Sequence, residues 1–313
     1  MDRLYTFGKY LKSKFNTKIK KVPISIPGFT CPNIDGTVAR GGCVFCENES
    51  FSPNFQKEKF TLNLQSINNP LLQKQLDSLK TQFFNTTPFL KKEYKAKKFI
   101  VYFQSFTNTY APFDTLKALY EMALSLPGVI GISIGTRTDS IADETLEYLK
   151  KLSKNYEVWV EYGIQSSNDE TLKKINRGHD FNNVKNIIQK TKDLGLNVCG
   201  HLIFGLPGED KKDMLKSVED TINLNVDSIK FHPLYVTKNT LLARDYKKGL
   251  FTPISEDEYI EVLIESIKML PSNVSIQRLT AGNSVLLAPD WCTDKSKQIS
   301  NIHKALKKAG IKL

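Results

Sequence analysis

Short apolar runs alternate with amphipathic stretches along most of this chain, a pattern typical of alternating strands and helices. The predicted strands span 22–26, 99–103, 129–134, 156–164, 197–204 and 226–231. Helices are predicted at 5–16, 66–84, 113–126 and 142–154, with further helical stretches reaching about 195 and about 223. Consecutive strand–helix units predict a parallel sheet with right-handed crossovers.

Polar clusters follow nearly every predicted strand. They occupy Ser105–Thr109, Thr136–Asp139, Gln165–Asn168 and Gly205–Glu209. Active sites of barrels lie at that face, whereas an open doubly wound sheet concentrates its ligand at one switch point. The pattern therefore favours an α/β fold with a full or partial barrel, and an open sheet is the alternative. The tail adds a predicted helix at 257–270, a strand at 274–279 and a helix at 296–309.

The composition is that of a globular protein with excess positive charge. The 313 residues include 44 Lys+Arg and 33 Asp+Glu, a formal net charge of +11. Lysines gather at positions 9–21 and again at 91–98. Clustered positive charge is expected of a protein that binds nucleic-acid phosphates, although a general abundance of lysine would produce the same clusters.

The sequence shows no recognisable targeting signal. The chain has no apolar run of about 18 residues, and the N-terminal stretch has no apolar core followed by a small-residue cleavage site. Five cysteines, an odd number and mostly clustered, argue against a disulfide framework. These features predict a cytoplasmic protein that does not bind membranes.

Three of the five cysteines, Cys31, Cys43 and Cys46, fall in the stretch CPNIDGTVARGGCVFC. Structural zinc sites and ordinary [4Fe–4S] clusters take four protein ligands. Three cysteines suit an iron–sulfur cluster with one open iron that binds a substrate or cofactor. Zinc is the rival metal, since a histidine could serve as a fourth ligand. Cys199 in an apolar strand and Cys292 beside a tryptophan are predicted to be core thiols.

The remaining candidates are weaker when taken alone. Arg177 could bind a carboxylate through two hydrogen bonds, and Gln165 stands just past a strand twelve residues earlier. A surface arginine is the simpler interpretation. His201 by default is a hydrogen-bonded histidine, and the roles of Lys230 and His232 are equally open.

Several motifs in one order resemble a known family. They are CPNIDGTVARGGCVFC, YFQSFTNTYAP, SIGTRTDSI, EYGIQSSNDETLKKINRGHDF, HLIFGLPGE, IKFHPLYVTKNT and IQRLTAGN. Together they resemble radical S-adenosylmethionine (SAM) enzymes of the YhcC/YtqA family, some of which are named MnmL. That family is related to the radical SAM domain of the elongator catalytic subunit. The resemblance covers residues 5 to about 305.

The resemblance implies a partial (β/α)6 TIM-type barrel with a small C-terminal α/β extension, and a [4Fe–4S] cluster and SAM as cofactors. The implied domain limits are 1–21 for an N-terminal helical segment, 22–240 for the core and 241–313 for the extension. Cys31, Cys43 and Cys46 match the cluster ligands. The residues that match SAM-binding or neighbouring positions are Ser105, Thr107, Thr136, Arg137, Gln165, Arg177, His201, Lys230 and His232. His201 departs from the acidic residue or glycine that relatives place there.

The implied reaction is reductive cleavage of SAM to methionine and a 5′-deoxyadenosyl radical, which requires an electron donor such as flavodoxin or ferredoxin. The family is similar to proteins linked with tRNA wobble-uridine side-chain modification, so the resemblance implies tRNA as the expected substrate. Two alternatives are a radical SAM enzyme acting on a small molecule or peptide, and a non-catalytic zinc-bearing module that binds nucleic acid.

Overall fold

The computed structural model describes residues 4–47, 58–281 and 286–313. One sheet of seven parallel strands has the order β1-β2-β3-β4-β5-β6-β8. These strands are β1 (Ile19–Ile24), β2 (Lys98–Phe103), β3 (Val129–Thr136), β4 (Glu157–Gln165), β5 (Asn197–Phe204), β6 (Ser228–Pro233) and β8 (Ser275–Arg278). A second sheet pairs β7 (Val236–Thr237) with β9 (Leu286–Ala288). The curled parallel sheet is the half-barrel that the sequence predicts.

The helices connect the strands in the predicted order. They are α1 (Phe7–Phe15), α2 (Pro32–Asp35), α3 (Leu72–Tyr94), α4 (Phe113–Ser125), α5 (Asp143–Ser153), α6 (Asp169–Lys174), α7 (Phe181–Asp193), α8 (Lys211–Asn223), α9 (Leu241–Lys247), α10 (Glu256–Met269) and α11 (Lys295–Lys308). Helix α7 shows why they form: Phe181, Val184 and Ile188 bury one face, and the Asp180 carboxylate accepts a hydrogen bond from the Asn183 N–H. None of the helices in the described ranges is long and apolar enough to cross a membrane.

Helix α1 packs at the base of the barrel, the end where the strands begin. Phe7 and Tyr10 contact the Trp159 ring edge-on, with centroids 5.0 and 5.5 Å away. Glu157 accepts hydrogen bonds from the Tyr10 hydroxyl (2.7 Å), the Lys14 amine (2.8 Å) and the Trp159 indole (2.8 Å). The base is therefore an apolar cluster with a fully paired carboxylate.

The two edges of the sheet, β1 and β8, are joined by side chains and by the N-terminal segment. The Lys21 amine on β1 donates to Gln277 Oε1 on β8 at 2.5 Å. The Ile276 N–H donates to the Tyr5 carbonyl (2.8 Å), and the Leu4 N–H donates to the Lys312 carbonyl (2.7 Å). The strand predicted near 274–279 thus exists, and it extends the main sheet by a seventh position.

Several elements differ from the sequence prediction. Helix α3 begins at Leu72 instead of 66, because Pro70 and a hydrogen bond from the Leu71 N–H to Asn69 Oδ1 (2.9 Å) form a turn before it. It runs on to Tyr94 with Pro88 inside it, well past the predicted end at 84. The short strands β7 and β9 and helix α9 were not predicted.

Candidate active site

The cysteine loop follows β1 and lies over the end of β4. Helix α2 starts directly after Cys31, and the Cys46 N–H donates to the Cys43 carbonyl at 2.9 Å. The Asn33 side-chain amide donates to the Asn176 carbonyl (2.5 Å) and the Arg177 carbonyl (2.9 Å). These bonds fix the loop to the turn that carries Arg177.

Gly178 makes this close approach possible. Its φ is +82°, and an added Cβ would lie 2.6 Å from Asn33 Oδ1 and 2.7 Å from a Val38 methyl. Any other residue would be strained and would push the cysteine loop away from the turn.

The spread of the three sulfurs distinguishes between the candidate metals. A tetrahedral zinc with bonds of about 2.3 Å holds its sulfurs about 3.8 Å apart. Among described residues, the only trio of His, Cys, Asp or Glu ligand atoms within 4.8 Å of one another is Glu161, Cys199 and His201. The Cys31, Cys43 and Cys46 sulfurs are more widely spread than that. The donor set therefore fits a cluster whose irons each take one cysteine, rather than one shared ion.

Two side chains direct polar hydrogens at Cys43. Its sulfur lies 3.7 Å from Asn33 Nδ2 and 3.8 Å from Arg177 Nη1. Burial, reinforced by Cys43 and Cys31, raises the pKa of the Cys46 thiol to about 12. The Cys46 thiolate is thus unfavourable without a bound cation, and the two donors to Cys43 are placed to tune such a centre.

A cavity of about 400 Å³ opens beside the cysteines at the ends of the strands. The predicted residues that line it are Cys31, Cys43, Cys46, Thr107, Thr136, Arg137, Gln165, Arg177, His201 and His232. Ser105 and Lys230 do not line it, although both are buried. The structure thus brings together ten of the twelve candidates from segments far apart in sequence.

Gln165 and Arg177 meet at the end of β4. The strand register shifts between Gly163 and Gln165, and Gln165 adopts a left-handed φ of 72°. Arg177 Nη2 donates to the Gly163 carbonyl at 2.5 Å. A Cβ on Gly163 would lie 2.7 Å from the Gln165 amide and 2.9 Å from Arg177 Nη2. Backbone strain and a missing side chain therefore make room for the pair.

Several buried polar atoms around the cavity lack hydrogen-bond partners among the described residues. Two of them, Arg137 Nη1 and Arg177 Nε, belong to residues that line it. The rest of Arg137 is paired: Nε and Nη2 donate to Asp139, and Nη2 also donates to the Arg177 carbonyl at 2.8 Å. Unpaired buried donors are costly, so these atoms mark positions where a ligand with carboxylate and hydroxyl oxygens fits.

Glu161 forms the floor of the cavity. This fully buried carboxylate pairs with Lys21 and Lys230, accepts from the Ser133 hydroxyl, and lies 2.8 Å from His201 Nε2. Burial alone would raise the pKa of Glu161, but Lys21 and Lys230 bring it well below its usual range. Because two lysines already neutralise it, the compact Glu161–Cys199–His201 trio is a poor cation site.

The same burial acts on the cationic groups of the floor. It lowers the pKa of Lys21 to about 8 and that of His201 to about 4. His201 is therefore neutral, and its partner Glu161 supplies the negative charge next to it. Glu161 was not among the predicted site residues, although the alternation of polar and apolar residues along β4 marks it as facing the barrel interior.

The lysine clusters do not lie beside the cavity. Lys98 pairs with Ile19 at the start of β1, and the Lys97 N–H donates to the Lys18 carbonyl at 2.9 Å. These residues belong to the strand beginnings, at the base of the barrel.

Two family profiles match most of the chain. The profile of the radical SAM superfamily matches residues 36–221, and that of the radical SAM C-terminal domain matches residues 226–308. YtqA, an uncharacterized protein of Bacillus subtilis, is 34% identical over 310 residues, which are 98% of this chain and 91% of that protein. The predicted resemblance is confirmed.

More distant similarity reaches proteins named for tRNA. A tRNA uridine(34) acetyltransferase of Methanocaldococcus infernus is 30% identical over 58% of this chain and 34% of its own length. The structure of the Elp3 protein from the same archaeon, with residues 1–46 deleted, superposes with a TM-score of 0.61 at 18% identity. That superposition covers 93% of this chain and 64% of the other.

Proposed function

The chain belongs to the radical SAM superfamily, and from that premise we propose that it modifies the side chain of a wobble uridine in tRNA. It is a radical SAM enzyme with a [4Fe–4S] cluster and SAM as cofactors. The substrate and the individual residue roles are the proposed parts.

In this proposal Cys31, Cys43 and Cys46, which line the cavity, would hold the cluster. SAM, when bound, supplies a 5′-deoxyadenosyl radical on one-electron reduction. Arg177, whose Nε lacks a protein partner among the described residues, binds the SAM carboxylate. The other proposed SAM contacts are Ser105, Thr107, Thr136, Arg137, Gln165, His201, Lys230 and His232.

The chain's own contribution is positioning and exclusion of water. Gln165 and Arg177 are fixed by the bulge at the end of β4, and Asn33 fixes the cysteine loop to the same turn. The Glu161 network closes the cavity from below with groups that are already paired. Pre-set side chains of this kind orient a reactive intermediate without reorganising.

The similarity to a tRNA uridine(34) acetyltransferase is the observation that carries the tRNA proposal. A base inside a folded RNA would have to leave its stack to enter the cavity. Arg40 in the cysteine loop and Lys295 at the cavity rim are exposed cations near that entrance and could contact RNA phosphates. Electron transfer would require a donor protein such as flavodoxin or ferredoxin.

The test compares wobble nucleosides by mass spectrometry in a deletion strain and in the same strain carrying the wild-type gene. Loss of one modified wobble uridine, or build-up of its precursor, is the expected result. An unchanged nucleoside profile would contradict the tRNA proposal. It would favour a small-molecule or peptide substrate, provided that the reconstituted protein still forms 5′-deoxyadenosine from SAM under reductant.

A further inference from the structure

The cavity has a second wall that the cluster and SAM assignments leave unused. It is built from the segment just after β6, the end of β8 and the start of α11, and includes Tyr235, Arg278 and Lys295. Arg278 is the last residue of β8 and is partly buried. Lys295 is the first residue of α11 and lies at the rim.

Neither Arg278 nor Lys295 has an acidic partner in the part of the chain that the structure describes. No carboxylate lies within 4.0 Å of either charged group. The neighbouring Asp294 is engaged elsewhere, since its carboxylate accepts from the Ser296 N–H (2.9 Å) and the Lys297 N–H (3.0 Å). Glu161 is the only described carboxylate that lines the cavity, and it is held by two other lysines.

The two cations lie close enough to disfavour each other's charge. Burial and then Arg278 lower the pKa of Lys295. Burial and then Arg278 also bring the pKa of His232 well below its usual range, so His232 is neutral. A partly buried guanidinium with no counter-ion is costly, and an anionic ligand would remove that cost.

We propose that Arg278 and Lys295 form an anion subsite that binds a carboxylate or phosphate group of the substrate. This inference rests on the proposed function for the identity of the substrate, and it adds the requirement that the substrate be anionic at this wall. The anion is either a carboxylate on the substituent of the target base or a phosphate of the RNA backbone. Arg278 would supply paired N–H donors and Lys295 a single charge at the rim.

The test measures binding by isothermal titration calorimetry to the cluster-loaded protein. Three probes separate the sources of the anion: 5-carboxymethyluridine, its neutral analogue 5-carbamoylmethyluridine, and an anticodon stem-loop RNA with an unmodified wobble uridine. The variants are Arg278→Gln, Lys295→Gln and the conservative Arg278→Lys. Lys297→Gln, an exposed lysine of the same helix that does not line the cavity, is the control.

If the anion is a carboxylate, the wild type binds the carboxylate nucleoside about tenfold more tightly than the amide. Arg278→Gln removes that preference, and Arg278→Lys keeps part of it. If the anion is a phosphate, the stem-loop binds about tenfold more weakly to Arg278→Gln and Lys295→Gln but normally to Lys297→Gln.

Unchanged binding of all three probes by Arg278→Gln would overturn the subsite. Loss of SAM binding in Arg278→Gln would also overturn it, because Arg278 would then belong to the SAM site. Failure of the proposed function looks different. In that case the wobble nucleosides of a deletion strain are normal and the RNA does not bind, while the preference for carboxylate over amide persists.

Discussion

Strand β4 carries one buried carboxylate at the base of the barrel and another at the cavity floor, and their surroundings differ. Glu157 at the base accepts three hydrogen bonds, one of them from the half-exposed Lys14. Glu161 at the floor is fully buried and pairs with the partly buried Lys21, the buried Lys230 and a histidine. Above Glu161, Arg137 and Arg177 keep polar atoms without partners among the described residues. The base is arranged for stability, whereas the cavity end keeps binding capacity for ligands.

The largest expected effect tests the cavity end of the barrel, through the cysteine loop. Cys43→Ser should abolish 5′-deoxyadenosine formation, because an alcohol is a poor iron ligand compared with a thiolate. Iron and sulfide content after anaerobic reconstitution and product analysis by mass spectrometry measure it. Cys199→Ser, at a buried thiol near the base, is the control and should keep the cluster. Normal activity in Cys43→Ser would remove the cysteine loop from the mechanism.

The second effect separates the two carboxylates. Glu161→Gln leaves Lys21 and Lys230 buried without a counter-charge, and should lower the free energy of unfolding by about 3–5 kcal/mol. Glu157→Gln should cost about 1 kcal/mol, because its ionic partner Lys14 is half-exposed. Urea denaturation of both variants gives the comparison. Equal losses would mean that the floor and the base are stabilised alike.

The third effect is a pH dependence of stability at the end of the barrel where the strands end. Burial raises the pKa of Glu209 from 4.5 to about 7, although the Ser166 hydroxyl donates to it. Because the pKa of Glu209 is higher in the folded than in the unfolded protein, its protonation stabilises the fold. This stabilisation is complete below pH 4.5 and is lost as the pH rises through about 7. Between pH 5 and pH 8 this one group should remove about 2–3 kcal/mol from the free energy of unfolding.

Glu209→Gln should remove that part of the pH dependence. Urea unfolding of wild type and variant at both pH values measures the difference, and Glu170→Gln, at an exposed carboxylate, serves as the control. A pH dependence identical in wild type and Glu209→Gln would show that Glu209 is ionised at neutral pH.

The smallest effect concerns the base alone. Tyr10→Phe removes one of three hydrogen bonds to Glu157 and should cost about 1 kcal/mol of stability. The rate of SAM cleavage should not change, since Tyr10 does not line the cavity. Thermal and urea unfolding measure the first expectation, and initial rates of 5′-deoxyadenosine formation measure the second. A slower reaction would indicate that the base and the cavity are coupled.

The sequence predicted the parallel strands within a few residues because each is an apolar run that ends in polar or glycine-rich residues. It did not predict β7 and β9, since strands of two and three residues carry no periodic signal. The cysteine loop was recognisable as a local motif. Arg278, although it lies in the IQRLTAGN motif, and Lys295 were not singled out, because the position of β8 in the sheet brings Arg278 to the cavity and the start of α11 brings Lys295.

Domain limits at 21 and 240 remain predictions, as do the individual roles of the SAM-contacting residues. Gln165 illustrates why roles are hard to read from sequence. Its orientation depends on a left-handed backbone conformation and a shift in strand register, and neither has a signature in the residue types alone.

The joining of the sheet edges has a consequence for the order of folding. Tyr5 pairs with Ile276, Leu4 with Lys312, and Lys21 with Gln277, so the base is sealed by residues from nearly opposite parts of the sequence. Such contacts form only after a large loop has closed, which is entropically slow. During synthesis β1 to β6 would emerge while the edge at β8 is still missing. The nascent half-barrel would therefore expose the β6 edge until β8 arrives.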